Sequence, residues 1–247
     1  MTTLKQRLGA WLVPRLPVNP WVFRTFRVEL NAITVRLLNR LLPGRIAQQR
    51  ALRQRTGVLV NVGCGPFGQE GWVNLDLFPA PGVTMRVDCR HGLPLGDGAA
   101  RGIHAEHYFE HLEPTTERPR FLAECRRCLE PGGVLRIIVP DMRKYVKAYL
   151  ADDWTMLNEI GCGGELPQAA FATKMEALNH VFVQDGEHYG GFDAEYLRRT
   201  LEQAGFGDIG QVGWREGRFP GGPIDREQHR PYSLFMEAIR WCGFRPN

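Results

Sequence analysis

From residue 58 onward, short runs of aliphatic and β-branched residues alternate with segments of helical periodicity. The runs predict strands at Val58–Val62, Trp72–Leu75, Thr84–Val87, Gly102–Ala105, Val134–Val139, Asp208–Trp214 and Ser233–Ile239. Helices are predicted at about residues 115–129, from a cap at Asp141 and from a cap at Asp193. Such alternation is typical of an α/β domain, in which helices cover both faces of a mostly parallel sheet.

The N-terminal region shows a different pattern, an amphipathic helix predicted over about residues 22–42. Its apolar positions recur at steps of three and four, at Phe23, Phe26, Leu30, Ile33, Leu37 and Leu41. Prolines make residues 1–20 irregular, and Pro43-Gly44 is predicted to end the helix. We expect the apolar stripe to pack on the main domain or a second subunit, with a helix lying on an anionic membrane surface as the alternative.

Two boundaries follow from these patterns. Residues 1–56 form a basic helical extension, and residues 57–247 form the main domain. Within that domain, residues 152–191 are poorly periodic and contain a glycine cluster. This stretch is predicted to be an insertion over the sheet edge, where substrate lids usually lie.

Charge is unevenly distributed along the 247 residues. Residues 1–56 carry eleven Lys and Arg against one acid, so the net charge of +4 leaves the main domain at −6. A mildly acidic domain argues against nucleic-acid binding.

No apolar stretch is long enough to span a bilayer, and charges interrupt any secretory signal. Six cysteines over this length indicate reduced thiols. We therefore expect a cytoplasmic protein, with a peripheral position at the inner face of the membrane as the alternative.

The stretch Val58–Pro66 has the pattern of a buried strand ending in a glycine loop. Gly63 and Gly65 leave room for a ligand against the backbone, and Asp76 follows the next apolar run. These features predict a nucleoside site. Residues 63–68 also match the G-x-G-x-x-G fingerprint of nicotinamide enzymes, but Pro66 opposes the helix that this fingerprint requires.

Residues 107–111 match the H-x-x-E-H signature of inverted zinc peptidases. In a zinc hydrolase, His107 and His111 would bind the metal, Glu110 would act as base, and Glu187 is a distant third ligand. Pro114 leaves little room for the helix that such a site needs, so we expect no metal. Cys125 and Cys128 lie on one apolar helical stripe and are predicted to be packing thiols.

A set of motifs follows a fixed order along the domain. In sequence they are Asn61-Val62-Gly63-Cys64-Gly65, Val73-Asn74-Leu75-Asp76, Asp88 with Leu93-Pro94-Leu95, His107-Tyr108-Phe109-Glu110-His111-Leu112, and Leu129-Glu130-Pro131-Gly132-Gly133. In this order the chain resembles the class I S-adenosylmethionine-dependent methyltransferases, over residues 57–140 and more loosely over 190–240. The resemblance implies a Rossmann-like, doubly wound, mostly parallel seven-stranded sheet with an antiparallel last strand.

The resemblance also implies which residues bind the cofactor, S-adenosyl-L-methionine. The glycine loop would meet its amino-acid part, Asp76 its ribose and Asp88 its adenine, and Glu106 and His107 would touch its backbone. The complete set of cofactor-binding residues is then Asn61, Val62, Gly63, Cys64, Gly65, Asp76, Leu77, Asp88, Cys89, Glu106 and His107.

Two departures from the family pattern have structural consequences. Asn61 stands where the family usually has an acid. The connection from the first strand to the second is too short for a full crossover helix. Another segment must cover the sheet face that this helix would occupy, and the N-terminal helix is the candidate.

Methyl transfer to a hydroxyl requires alignment and proton removal, and histidine is suited to the second task. The candidates are His111 first, then His188 and His107, as base or as substrate orienter. The predicted function is methylation of a small-molecule acceptor, at an oxygen of a sugar, lipid or glycan intermediate. The alternatives are a nicotinamide-dependent oxidoreductase, the zinc hydrolase and a non-catalytic nucleoside-binding module.

Overall fold

The computed structural model of the chain describes residues 20–152 and 171–241. Seven strands form one sheet in the order β3-β2-β1-β4-β5-β7-β6. The strands are β1 (Val58–Val62), β2 (Val73–Asp76), β3 (Met85–Arg86), β4 (Ala100–Glu106), β5 (Leu129–Pro140), β6 (Phe206–Val212) and β7 (Ser233–Arg240). Strand β7 runs antiparallel to both of its neighbours, and the pairs among β1 to β5 are parallel. The predicted mostly parallel sheet with an antiparallel last strand is confirmed.

Six α-helices lie in the described residues. They are α1 (Pro20–Leu41), α2 (Pro43–Arg53), α3 (Glu117–Cys128), α4 (Met142–Leu150), α5 (Lys174–Val183) and α6 (Ala194–Gln203). Asp141 and Asp193 cap α4 and α6 by accepting backbone N–H groups, as predicted. Helix α1 ends at Leu41, which confirms that Pro43-Gly44 ends it. Helix α2, which was not predicted, begins directly with Pro43 in its first turn, where a missing N–H costs nothing.

The short connection between β1 and β2 contains no helix, which confirms the shortened first crossover. Right-handed crossovers would place a helix here on the sheet face opposite α3. Residues 213–232, which we call the C-terminal strap, cover this face instead. Phe219 of the strap stacks on Trp72 at 5.6 Å between ring centroids. It also packs so closely on β4 that a Cβ atom at Gly102 would lie 2.7 Å from its ring.

A fully buried arginine of β5 holds the strap on the sheet. The Nε atom of Arg136 donates to Asp225 at 2.8 Å, and its Nη1 atom donates to Glu237 of β7, also at 2.8 Å. The same guanidinium donates to the carbonyls of Glu216 and Gly213 in the strap. Both carboxylates are fully buried as well, so the charge of the arginine is compensated inside the protein.

Helix α1 lies elsewhere, and the expectation that it replaces the missing crossover helix is wrong. It contacts the β3 end of the sheet through polar groups. Asn31 and Asn39 hydrogen-bond the side chain and the carbonyl of Arg86, and Arg36 forms an ion pair with Asp88 at 2.9 Å.

Six large apolar side chains of α1 are exposed, whereas Ala32 and Val35 of the same helix are buried. We call this exposed set the apolar ridge, and its exposed fractions range from 44% to 70%. The ridge consists of Val22, Phe26, Leu30, Ile33, Leu37 and Leu41. The expectation that this stripe packs on the main domain is therefore wrong, and the side chain of Phe23 lies outside the described part of the chain. None of the helices in the described ranges is both long enough and apolar enough to span a membrane.

The predicted insertion is only partly described, because residues 153–170 lie outside the described ranges. Residues 171–191 contain α5, whose N-terminus carries a complete capping box of Thr173 and Glu176. Val181 of α5 packs with Met142 and Tyr145 of α4 in a second hydrophobic cluster. This helix was not predicted from the sequence.

The buried charges around Arg136 generate a prediction about stability. Burial alone would raise the pKa of Asp225, but hydrogen bonds from His104 and Arg136 lower it to about 2. Replacing Asp225 with Asn should lower the free energy of unfolding near neutral pH by about 3 kcal/mol, since the arginine loses a buried anion. The contribution of Asp225 is present above its unfolded pKa of about 4 and is lost as the pH falls towards about 2. In urea unfolding, the difference in free energy of unfolding between the wild type and Asp225→Asn should therefore narrow as the pH falls from about 4 to about 2.

The matched control is Asp208→Asn, which removes an exposed partner of Arg218. Exposed ion pairs contribute less than about 1 kcal/mol, so this variant should unfold almost as the wild type does. Equal losses for the two variants would contradict the role given to the buried pair.

Candidate active site

The carboxyl ends of the parallel strands border a cavity of about 690 Å³. Side chains and backbone from the loops after β1, β2, β3 and β4 form most of its wall. Helix α1 forms a further part through Thr25, Arg27, Val28 and Glu29. Six predicted cofactor residues line the cavity, namely Gly63, Asp76, Leu77, Asp88, Cys89 and His107. A cavity at this edge is where open α/β sheets bind ligands.

Gly63 begins the loop after β1 in a conformation with φ of +65°. Its N–H donates to the carbonyl of Leu75 at 2.9 Å, which ties the loop to β2. A Cβ atom at this position would lie 2.7 Å from the ring of Tyr108. Both the backbone angle and the close approach therefore require glycine here.

Asp76 ends β2 with its carboxylate towards the glycine loop. One oxygen accepts the N–H of Gly65 at 2.8 Å, and the other accepts the N–H of Phe78 at 2.7 Å. A carboxylate oxygen can accept more than one hydrogen bond. Asp76 is thus held in place while it retains acceptor capacity for hydroxyl groups in the cavity.

Asp88 is almost fully buried and is surrounded by cations. Its oxygens accept from Arg36 at 2.9 Å and from Arg90 at 2.8 Å, and a nitrogen of His91 lies 3.2 Å away. Burial alone would raise the pKa of Asp88, but these neighbours lower it below its usual value. Its carboxylate attaches α1 to the sheet, a role that the sequence analysis did not assign to it.

Arg90 connects three elements around the cavity. Besides Asp88, it donates to Glu29 of α1 at 2.5 Å and to Glu117 of α3 at 3.2 Å. These hydrogen bonds raise the pKa of Arg90 despite its burial. Sequence analysis missed Arg90 and Glu29. The single acid in a strongly basic helix was the signal that could have identified Glu29.

A smaller cavity of about 190 Å³ lies on the other side of the glycine loop, and Gly63 lines both cavities. Three predicted cofactor residues also line it, namely Asn61, Cys64 and Glu106. The amide of Asn61 donates to the carbonyl of Phe67 at 3.2 Å. Val62 is fully buried in the core, and Gly65 lines neither cavity but donates its N–H to Asp76.

Glu106 ends β4 and binds the strap. It accepts from the backbone and the side chain of Arg226 at 3.1 and 3.0 Å and from His229 at 2.9 Å. Burial would raise the pKa of Glu106, but His229 and Arg226 lower it to about 2. The predicted contact of Glu106 with a cofactor stays a prediction, since its carboxylate is used for strap contacts.

The H-x-x-E-H motif does not form the helix of a zinc peptidase. His107 has a φ of +51°, and a single 3-10 turn, Phe109–His111, follows it. A hydroxyl of Ser233 lies 2.8 Å from Nε2 of His107, and Nδ1 of His107 lies 3.1 Å from Glu110. His107 is thereby oriented towards β7 and not towards His111.

His111 and His188 lie against each other, with ring centroids 4.8 Å apart. His111 lines the main cavity, whereas His188 is buried behind it. Nδ1 of His111 lies 3.1 Å from the carbonyl of Glu187, and Nδ1 of His188 lies 2.6 Å from the carbonyl of Val181. The structure thus brings together the two first-ranked catalytic candidates, which are 77 positions apart in the sequence.

Comparison with known families gives one sequence match. Residues 74–137, from β2 into β5, match the family model described as "Methyltransferase domain". The match covers 64 of the 247 residues. The matched segment includes Asp76, Asp88, His107 and His111. No curated protein sequence matches the chain.

Solved methyltransferase structures resemble the chain at low sequence identity. One from Archaeoglobus fulgidus has 16% identity and a TM-score of 0.45, covering 81% of this chain and 94% of its own. The 1,6-didemethyltoxoflavin-N1-methyltransferase of Burkholderia thailandensis, solved with S-adenosylhomocysteine, has 14% identity and a TM-score of 0.44, covering 92% of each chain. One from Mesorhizobium loti has 14% identity and a TM-score of 0.43, covering 79% of this chain and 97% of its own.

The glycine loop after β1 generates a second prediction. Gly63→Ala should lower the free energy of unfolding by about 3 kcal/mol, because it adds a clash with Tyr108 to the cost of a left-handed backbone. Gly65→Ala is the matched control, since φ is +50° there and no atom lies within 4 Å of the added Cβ. It should cost about 1–2 kcal/mol. Urea unfolding measures both, and equal costs would contradict the close packing of Gly63.

Proposed function

We propose that the chain transfers a methyl group from S-adenosylmethionine to an oxygen of a small-molecule acceptor, in a sugar, lipid or glycan intermediate. The observation that carries this proposal is the position of the matched methyltransferase segment, which forms much of the 690 Å³ cavity wall. Cavities of this size are typical of cofactor and small-molecule sites.

The residues around the glycine loop fit the chemistry of the cofactor. The backbone at Gly65 is open, because no atom lies within 4 Å of the position that a Cβ atom would take there, so a ligand can approach it. Asp76 has acceptor capacity for the two ribose hydroxyls. Leu77 and Cys89 supply apolar wall for the adenine, beside Asp88.

The bound cofactor supplies an activated methyl group on its sulfonium. On transfer to the acceptor oxygen, the methyl group would leave its bonding electron pair on the sulfur. The acceptor hydroxyl releases its proton, which leaves through the open cavity to water. The chain must therefore align the acceptor and stabilise it as it loses the proton.

We place the acceptor at the cavity end that His111 lines. His188 supports His111 from behind, and His107 lies beside the cavity at the end of β4. Burial lowers the pKa of His188, so its imidazole is neutral near pH 7. This end of the cavity is the most suitable for acceptor activation, because the rings of His111 and His188 are already oriented by backbone carbonyls.

The third prediction tests the cofactor. Asp76→Ala should weaken the binding of S-adenosylhomocysteine by tenfold or more, because hydrogen bonds to a charged group contribute about 1.5–3 kcal/mol. Isothermal titration calorimetry measures this affinity in the full chain. The control is Asp97→Ala, which removes a largely exposed carboxylate paired with Arg127 and should leave binding unchanged.

The same titration distinguishes the alternatives. Unchanged affinity in Asp76→Ala, or no binding by the wild type, would reject the proposed function. Saturable binding of NAD in its place would support the oxidoreductase. Binding of the nucleoside without methyl transfer to any sugar, lipid or glycan acceptor would support the non-catalytic module.

We also propose that the apolar ridge of α1 contacts an anionic lipid bilayer. The ridge extends along about 28 Å of helix, at 1.5 Å per residue. Residues 1–56 carry ten net positive charges, which complement anionic headgroups. Because α1 also forms part of the cavity wall, binding of the ridge would bring the active site to the membrane surface, where a lipid-linked acceptor lies.

The fourth prediction tests this contact by co-sedimentation with vesicles. The double variant Ile33→Glu/Leu37→Glu should bind phosphatidylglycerol vesicles at least about tenfold more weakly than the wild type. Two apolar contacts are replaced by negative charges, which the anionic headgroups repel. Leu150→Glu is the matched control, as Leu150 is 76% exposed on α4 and outside the ridge. Equal binding by all three proteins would exclude the membrane proposal. A concentration-dependent dimer lost only in the double variant would instead assign the ridge to a second copy.

A further inference from the structure

We infer that Glu110, His111 and His188 bind one divalent transition-metal cation, of the Zn²⁺ class, in the wall of the active-site cavity. One oxygen or nitrogen atom from each residue lies within 4.8 Å of the others. Two imidazoles and one carboxylate form a donor set that suits zinc and similar cations. The role of this site in catalysis rests on the proposed function, whereas the binding of the cation does not.

The hydrogen bonds of the two histidines fix which nitrogen is available. A carbonyl oxygen only accepts hydrogen bonds, so Nδ1 of His111 and Nδ1 of His188 must each carry a proton and donate it. In a neutral ring the Nε2 atom then holds the free lone pair. Donation from one ring nitrogen to a carbonyl is the arrangement that orients metal-binding histidines in proteins.

Glu110 supplies the negative charge. It is only 1% exposed, yet neither of its carboxylate oxygens receives a hydrogen bond from the described residues. Burial would raise the pKa of Glu110, but Nδ1 of His107 lies 3.1 Å from one of these oxygens and lowers this pKa, which keeps the carboxylate ionised. A buried carboxylate with so few partners is costly, and a bound cation would compensate this cost.

The site is open on one side. His111 lines the cavity, while Glu110 and His188 lie behind it in the protein interior. Catalytic metal sites typically have three protein ligands and keep one coordination position open, towards a cavity, for water or substrate. The acceptor hydroxyl would occupy this position.

This arrangement specifies how the acceptor is activated. A hydroxyl bound to a divalent cation has a lower pKa, so it loses its proton to water more readily near neutral pH. The resulting oxygen then takes the methyl group from the sulfonium, as described above. His111 acts in this scheme as a cation ligand and orienter of the acceptor.

The fifth prediction concerns binding of Co²⁺, a coloured substitute for Zn²⁺, to the full chain after chelator treatment. The wild type should bind one Co²⁺ with visible d–d absorption. Glu110→Gln and His188→Gln should each weaken this binding by about a hundredfold or more, since even indirect partners of metal ligands account for 10–100-fold. The matched control is His180→Gln, on the neighbouring helix α5 but outside the cluster, which should bind Co²⁺ as the wild type does.

A second measurement needs no variant. In the wild type, one equivalent of Zn²⁺ should shift the ¹⁵N resonances of Nε2 in two histidines while their Nδ1 atoms stay protonated. Absence of stoichiometric binding by the wild type, or wild-type affinity for Co²⁺ in Glu110→Gln or His188→Gln, would overturn the inference. Titration with S-adenosylhomocysteine on the same samples separates the two proposals. A protein that binds S-adenosylhomocysteine but binds no cation would reject only the metal site.

Discussion

The buried guanidinium of Arg136 is the interaction on which the arrangement of this domain depends. It donates to two buried carboxylates and to two carbonyls of the strap, so its charge is fully compensated only when the strap lies on the sheet. The strap in turn occupies the face that a first crossover helix would cover. Burying a charge is costly without its partners, which makes this arrangement specific as well as stable.

Absence of the crossover helix also changes how the cavity is enclosed. Helix α1 forms part of the wall and is attached by polar contacts, chiefly those of Arg36 and Glu29 with Asp88 and Arg90. The side chains that make these contacts face the domain, and the apolar ridge is exposed. An amphipathic helix usually buries its apolar stripe, which is the reason for the proposal that the ridge contacts a lipid bilayer.

The histidine cluster links the matched methyltransferase segment to residues outside it. Glu110 and His111 follow β4 within the segment, whereas His188 lies after α5, outside the segment. The hydrogen bonds of the two histidines to the carbonyls of Glu187 and Val181 require both regions to be folded together. The proposed acceptor chemistry at this end of the cavity would thus depend on the placement of the insertion.

The sequence by itself determined the sheet, its glycine loop and the acids at its edge, because strand periodicity and glycine requirements are local properties of the chain. Helix α3 was predicted from its apolar stripe, and α4 and α6 were predicted from their caps at Asp141 and Asp193. Only the tertiary structure decided the partners of charged groups. The contacts of Arg136 with Asp225, of Arg90 with Glu29 and of His111 with His188 join residues 61 to 89 positions apart. Such pairings depend on how distant parts of the chain pack together, and the local periodicity of the sequence does not predict this.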